Sequence, residues 1–117
     1  MLFRSGQEPA DQRLLALIPF LSQEDAESAY DLMQRLARPY KDSAEAHYAV
    51  AVMALQADDA EEAGKRAKKA LEIEPDWVKP HLLYARAMLM SGDLDGAIDY
   101  TSRLIGDDPR PDPEARL

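Results

Sequence analysis

The sequence predicts an all-α fold: antiparallel helix-turn-helix units stacked as a short α-solenoid of about three repeats. Three observations carry this expectation. The stretch VKPHLLYARAMLMSGDLDGAIDYTSRLIGDDP, Val78 to Pro109, reads as two amphipathic helices about a Ser91-Gly92-Asp93 turn, closed by a proline. LEIEP closes the preceding unit at Pro75, and 109 − 75 = 34 residues, a fixed period that marks units burying their apolar faces on one another. Ala, Leu, Glu, Asp and Arg recur while β-branched residues are scarce, and no stretch alternates with the period of two that a strand needs.

Each element has a local reason. From Pro9 a helical pattern runs through Leu14, Leu15, Leu17, Ile18 and Leu21, and Pro19 inside it predicts a kink or break. Ser22 to Glu24 turns the chain. Asp25 is placed to cap a second helix with Ala26, Ala29, Met33 and Leu36 along one face, ended at Arg38-Pro39. Asp42 reads as the cap of a third helix, with Glu45 as its capping-box partner and Ala46, Val50, Met53 and Ala54 as its packed stripe. After Ala57-Asp58-Asp59, a fourth helix from Ala60 to Ile73 turns Ala63, Ala67, Ala70 and Leu71 inward. The fifth starts near Val78 with Pro80 in its first turn, where a proline is tolerated. The sixth has Leu94, Ala97, Ile98, Thr101, Leu104 and Ile105 as its inner face. PEARL, at the end of the sequence, reads as the beginning of a further helix.

Composition narrows the class of function. The chain has 117 residues, 46% of them hydrophobic, enough for one modest core rather than a disordered chain. A net charge of −8 disfavours nucleic acid and anionic membrane surfaces as general partners. With no cysteine, disulfide and thiolate chemistry are excluded. MLFRSGQEPADQR lacks the continuous apolar core of a signal peptide, and LLALIPFL is far shorter than the roughly 20 residues that span a bilayer. The expectation is a cytoplasmic chain with no membrane insertion.

The period and its small residues resemble the tetratricopeptide repeat family, whose pattern is W-x2-L-G-x2-Y, then A-x3-F, then P over 34 residues. His47, Val50, Ala51, Ala54, Ala63, Ala67 and Pro75 take these places in the middle unit. His81, Tyr84, Ala85, Met88, Ala97, Thr101 and Pro109 take them in the last. The first unit is degenerate: Arg13, Ala16, Leu17, Phe20, Ala29, Met33, and Lys41 at the proline place. The large aromatic places hold smaller side chains, so looser packing between helices is expected. The resemblance implies repeats of approximately 10–43, 44–77 and 78–111, with 112–117 starting a further helix or tail.

It also implies a concave groove lined by the first helix of each repeat. On that side stand Leu14, Ile18 and Leu21, then Glu45, Tyr48, Val52, Leu55 and Gln56, then Lys79, Leu82, Arg86 and Leu89. Members that clamp a terminal carboxylate use lysine and asparagine where this chain has Tyr48 and Val52, or Leu82 and Arg86, so that clamp is missing. A mostly apolar groove with one arginine suits an amphipathic helix or an apolar-anchored peptide. The competing assignment is that these residues are core, covered by neighbouring repeats or a subunit.

Other constellations read as structural. His47 and His81 are 34 apart and occupy equivalent places, but no third ligand at metal-site spacing accompanies them, so packing is favoured over a metal site. Asp58, Asp59, Glu61 and Glu62 stand at a turn and helix start, where negative charge suits the helix dipole. Lys65, Arg66, Lys68 and Lys69 form the one basic run, on the outward face of the fourth helix, and read as a solvated face rather than an acidic-partner patch. No phosphate loop or nucleophile elbow occurs. The expected function is therefore a non-enzymatic, cofactor-free module that binds a protein or peptide partner. The alternative is a structural or oligomerisation segment of a longer solenoid, self-associating through Leu94, Ile98, Thr101 and Ile105.

Overall fold

The computed structural model describes residues 9–106. They form six helices: α1 (Ala10–Leu21), α2 (Ala26–Ala37), α3 (Ala44–Gln56), α4 (Ala60–Ile73), α5 (Val78–Met90) and α6 (Leu94–Gly106). No strand occurs among the described residues. The odd helices begin at 10, 44 and 78 and the even ones at 26, 60 and 94, each series in steps of 34. PEARL lies outside the described residues.

The even helices share one starting device. Asp25, Asp59 and Asp93, again 34 apart, each accept from the backbone N–H three residues on, at Ser28, Glu62 and Gly96 (3.0, 3.1 and 2.9 Å). Each thereby satisfies one of the donors that a helix start leaves unpaired. The two Ser28 hydrogen bonds hold the Asp25 carboxyl below its ordinary pKa. The turns before α4 and α6 also correspond: Asp58 (φ 63°) and Gly92 (φ 83°) are both left-handed. Glycine adopts that conformation without the Cβ clash that an aspartate must bear.

Two local expectations are corrected. Helix α3 is capped not by Asp42 but by Ser43, whose Oγ accepts from the Ala46 N–H at 3.1 Å. The same hydroxyl donates to Asp11 of α1 at 2.6 Å, a tertiary bond that local pattern cannot reveal. Pro19 does not break α1, which continues to Leu21 and closes with Ser22 N–H on the Ile18 carbonyl. The proline falls in the last turn, where little helix remains to be disrupted.

The core gathers around α3, which packs against α1, α2, α4 and α5. Nine of its thirteen residues are buried, among them Val50 and Met53 at 0% exposure. Ala29, Met33 and Ala37 of α2 and Leu14 of α1 close one side of this core. In α2 the inward place belongs to Ala37, while Leu36 is exposed. Ala63, Ala67 and Ala70 are fully buried on α4 and let it lie close to α3 and α5. Against expectation, Leu94, Ile98 and Ile105 of α6 face outward (59, 53 and 75% exposed), and Ala97 is its one buried residue.

Candidate functional site

Three surfaces carry groups beyond those the fold consumes. The first is the face of the odd helices, where three sets of residues recur at steps of 34: Leu14, Tyr48 and Leu82; Ile18, Val52 and Arg86; Leu21, Leu55 and Leu89. Their burial changes along the chain. Leu14 and Leu55 are core residues at 6 and 7% exposure, and Ile18, Leu21 and Val52 pack half-buried against the part of the core that holds Leu14. On α5 the face is open: Val78, Leu82 and Leu89 are 61, 56 and 53% exposed, with Arg86 exposed among them. Tyr48 is half-buried, which raises its phenol pKa, and its ring meets Trp77 at 4.9 Å with a 50° tilt. Trp77, the single tryptophan, stands at the start of α5 and had no place in the sequence pattern. The sequence-derived groove thus divides into a covered part on α1 and α3 and an open part on α5.

The second surface is a pair of clefts between successive even helices. One, of about 570 Å³, is lined by α2, the start of α3 and α4. The other, of about 530 Å³, is lined by α4, α5 and α6. Their linings correspond at 34-residue steps: 34/68, 37/71, 38/72, 41/75, 47/81, 66/100 and 69/103. Each cleft contains one of the two histidines, held in the same way. His47 Nε2 lies 2.7 Å from the Lys41 carbonyl and His81 Nε2 2.7 Å from the Pro75 carbonyl. A carbonyl only accepts, so Nε2 carries the hydrogen and, in the neutral ring, Nδ1 accepts. Its donor is Arg66 Nη1 at 3.2 Å for His47 and the Tyr100 hydroxyl at 2.5 Å for His81. Burial, reinforced by the charges of Arg66 and Lys69, holds the His47 pKa below its ordinary value, against the opposing pull of the Lys41 carbonyl and Asp42. These rings join a helix to the loop before it, which accounts for both histidines without a ligand. Among the described residues no group of His, Cys, Asp or Glu is arranged to hold a metal.

The clefts differ in chemistry. Arg38, Lys41, Arg66 and Lys69 line the first, with Asp42 and Glu72. The second holds Leu71, Tyr84, Met88 and Tyr100, and its Arg103 pairs with Asp99. Tyr84 and Tyr100 meet edge to face at 5.0 Å, and burial with the nearby Tyr84 raises the Tyr100 pKa. Of the basic run, Lys65, Lys68 and Lys69 are exposed, whereas Arg66 turns toward the protein and joins Glu62 to His47. The acidic cluster is absorbed likewise: Asp59 caps α4, Glu61 pairs with Lys65, and Glu62 with Arg66. Tyr30 reaches Asp59 at 3.4 Å, and burial beside these carboxylates pushes its phenol up to about 12.

The third surface is the outer face of α6. Ile98 occupies the place that Gly64 holds on α4, and Gly64 is buried where α4 meets Tyr84 and Ala87 of α5. Helix α6 therefore presents outward the face that α4 covers with its following helix. No helix among the described residues is long and apolar enough to cross a membrane.

Helix pairs with a 34-residue step, each packed on the next, define an all-α helical repeat solenoid. The family model described as tetratricopeptide repeat matches residues 54–117, just over half of the chain. The chain belongs to the tetratricopeptide repeat family. That family supports a protein–protein interaction module as the general class of function, and its repeats are typically non-catalytic. No curated protein and no solved structure gives a significant match.

Proposed function

We propose that this chain is built of three repeats, 10–43, 44–77 and 78–111, and binds an amphipathic helix or apolar-anchored peptide on the face of its odd helices. The observation that carries this is the exposed stripe of Val78, Leu82 and Leu89 on α5 with Arg86 in its midst. Exposed aliphatic side chains at one-turn spacing match the anchors of a helix laid against them, and the arginine supplies orientation. Tyr48, backed by Trp77, continues the stripe onto α3, with Val52 beside it. Leu14, Ile18 and Leu55 support this wall from the core. Replacing Arg86 or Tyr48 by alanine is expected to weaken partner capture by about 1–2 kcal/mol with helicity unchanged. If every captured partner survives both replacements, the ligand lies elsewhere.

A second reading rests on Leu94, Ile98 and Ile105, together with Thr101, on α6. In it this face is the seat of a further helical unit or a second copy, and the chain is a segment of a longer stack. The place of Ile98 is the one that α4 buries against α5, which supports such a use. Analytical ultracentrifugation from micromolar to hundred-micromolar concentration separates the two. Self-association abolished by Ile98→Asp supports the second reading, and a monomer that retains its partner supports the first.

A further inference from the structure

We propose that the cleft between α2 and α4 binds a phosphate monoester. Its wall carries Arg38, Lys41, Arg66 and Lys69 against two carboxylates, Asp42 and Glu72, so the lining sums to 4 − 2 = +2 in a chain of net −8. The equivalent cleft one repeat later shows what the fold itself requires. There the same four places hold Glu72, Pro75, Tyr100 and Arg103, and the histidine still bonds the loop carbonyl at the same 2.7 Å. The joint closes without three of the four cations, so their gathering in the first cleft is not a requirement of the architecture.

Charge and geometry select the ligand. Glu62, paired with Arg66 from outside the lining, brings the local balance to 4 − 3 = +1. A phosphate monoester carries about −1.5 to −2 charges near neutrality and three acceptor oxygens, so it can engage several of the four cations at once. A carboxylate offers one charge and two oxygens, and Asp42 and Glu72 already supply groups of that kind. Arg66 is pre-oriented by two bonds, Nε to Glu62 at 3.1 Å and Nη1 to His47 at 3.2 Å, which lowers the entropy lost when it meets an anion. A volume of about 570 Å³ accommodates the phosphate with the group that carries it. That carrier is either a small molecule or a phosphorylated side chain.

The test is a nuclear magnetic resonance titration of the ¹⁵N-labelled full chain with inorganic phosphate, blocked phosphoserine and a phosphoserine peptide, chloride holding ionic strength constant. Saturable shifts at the His47 amide and the Arg66 Nε–H are expected. Arg38→Gln and Lys69→Gln, both at exposed side chains, should each weaken binding by about tenfold, the scale of one charge-assisted hydrogen bond. Arg103→Gln, at the equivalent place of the second cleft, should leave it unchanged. A peptide that binds at least about tenfold tighter than blocked phosphoserine identifies a modified protein as the source, and equal affinities identify a small phosphate. The proposal is overturned if no shift saturates, if Arg38→Gln and Lys69→Gln bind as the parent does, or if a glutamate version of the peptide binds equally well. Each variant is checked by circular dichroism, so a loss of fold cannot imitate a loss of binding.

Discussion

The helix pairs α3–α4 and α5–α6 begin 34 residues apart and turn at equivalent residues, Asp58 and Gly92, yet their surroundings differ. Nine residues of α3 and four of α4 are buried, against three of α5 and one of α6. Local sequence sets where each helix starts, because capping and turn residues recur with the repeat. Burial is set by neighbours: α3 packs against four helices, α1, α2, α4 and α5, whereas α5 meets chiefly α4 and α6. One repeat unit therefore supplies core in the α3–α4 pair and exposed apolar surface in the α5–α6 pair.

The largest expected effect contrasts two truncations. Met53→Ala removes a side chain at 0% exposure in the α3 core and should destabilise by about 2–5 kcal/mol. Leu94→Ala, at 59% exposure on α6, should change stability by less than about 0.5 kcal/mol. Urea denaturation measures both, and comparable losses would mean that α6 is covered after all. The histidine joints give the next contrast. His47→Ala strips partners from the Lys41 carbonyl and Arg66 and should cost about 1–3 kcal/mol, with His81→Ala costing less at its more exposed joint.

His47 also predicts a pH response. Its folded pKa lies below its unfolded value, so the unfolded chain takes up the proton first. The stability it confers is complete above the unfolded pKa of about 6.5 and declines as pH falls from there toward the depressed folded value. Thermal melts of the parent should fall through that window, and those of His47→Gln should fall less. Smaller effects come from glycine. Gly92→Ala should destabilise by about 1 kcal/mol, since it imposes a Cβ on a left-handed residue. Gly64→Ala should stabilise by about 0.5–1 kcal/mol, because its new methyl would meet Tyr84 at an ordinary 3.7 Å within a helix interior.

Much of the fold was legible in the sequence because its signals are local and repeat. The span of α4 and the entry of Pro80 into the first turn of α5 follow from turn chemistry and a 34-residue step. The choice of Ser43 over Asp42 did not, since both can cap and the decision involves Asp11 on another helix. Whether the stripe of Leu94, Ile98 and Ile105 on α6 faces the core or an outside neighbour was left open: an apolar stripe looks the same in both cases. The clefts escaped a linear reading because a gap between α2 and α4 leaves no periodicity. One signal was available. Setting residue 38 against 72, 41 against 75 and 66 against 100 shows three cations replaced by a carboxylate, a proline and a tyrosine.

Among the described residues, every helix–helix contact joins elements no more than two places apart in the chain. Such a stack is held together as a line rather than a knot, and a pull along its six described helices meets no long-range clasp among them. Under load it should lengthen in steps, each releasing one helix pair. The 34-residue spacing of the helix starts makes a step of about 110–120 Å of contour length. The open α5–α6 pair should yield first and the enclosed α3–α4 pair at the highest force.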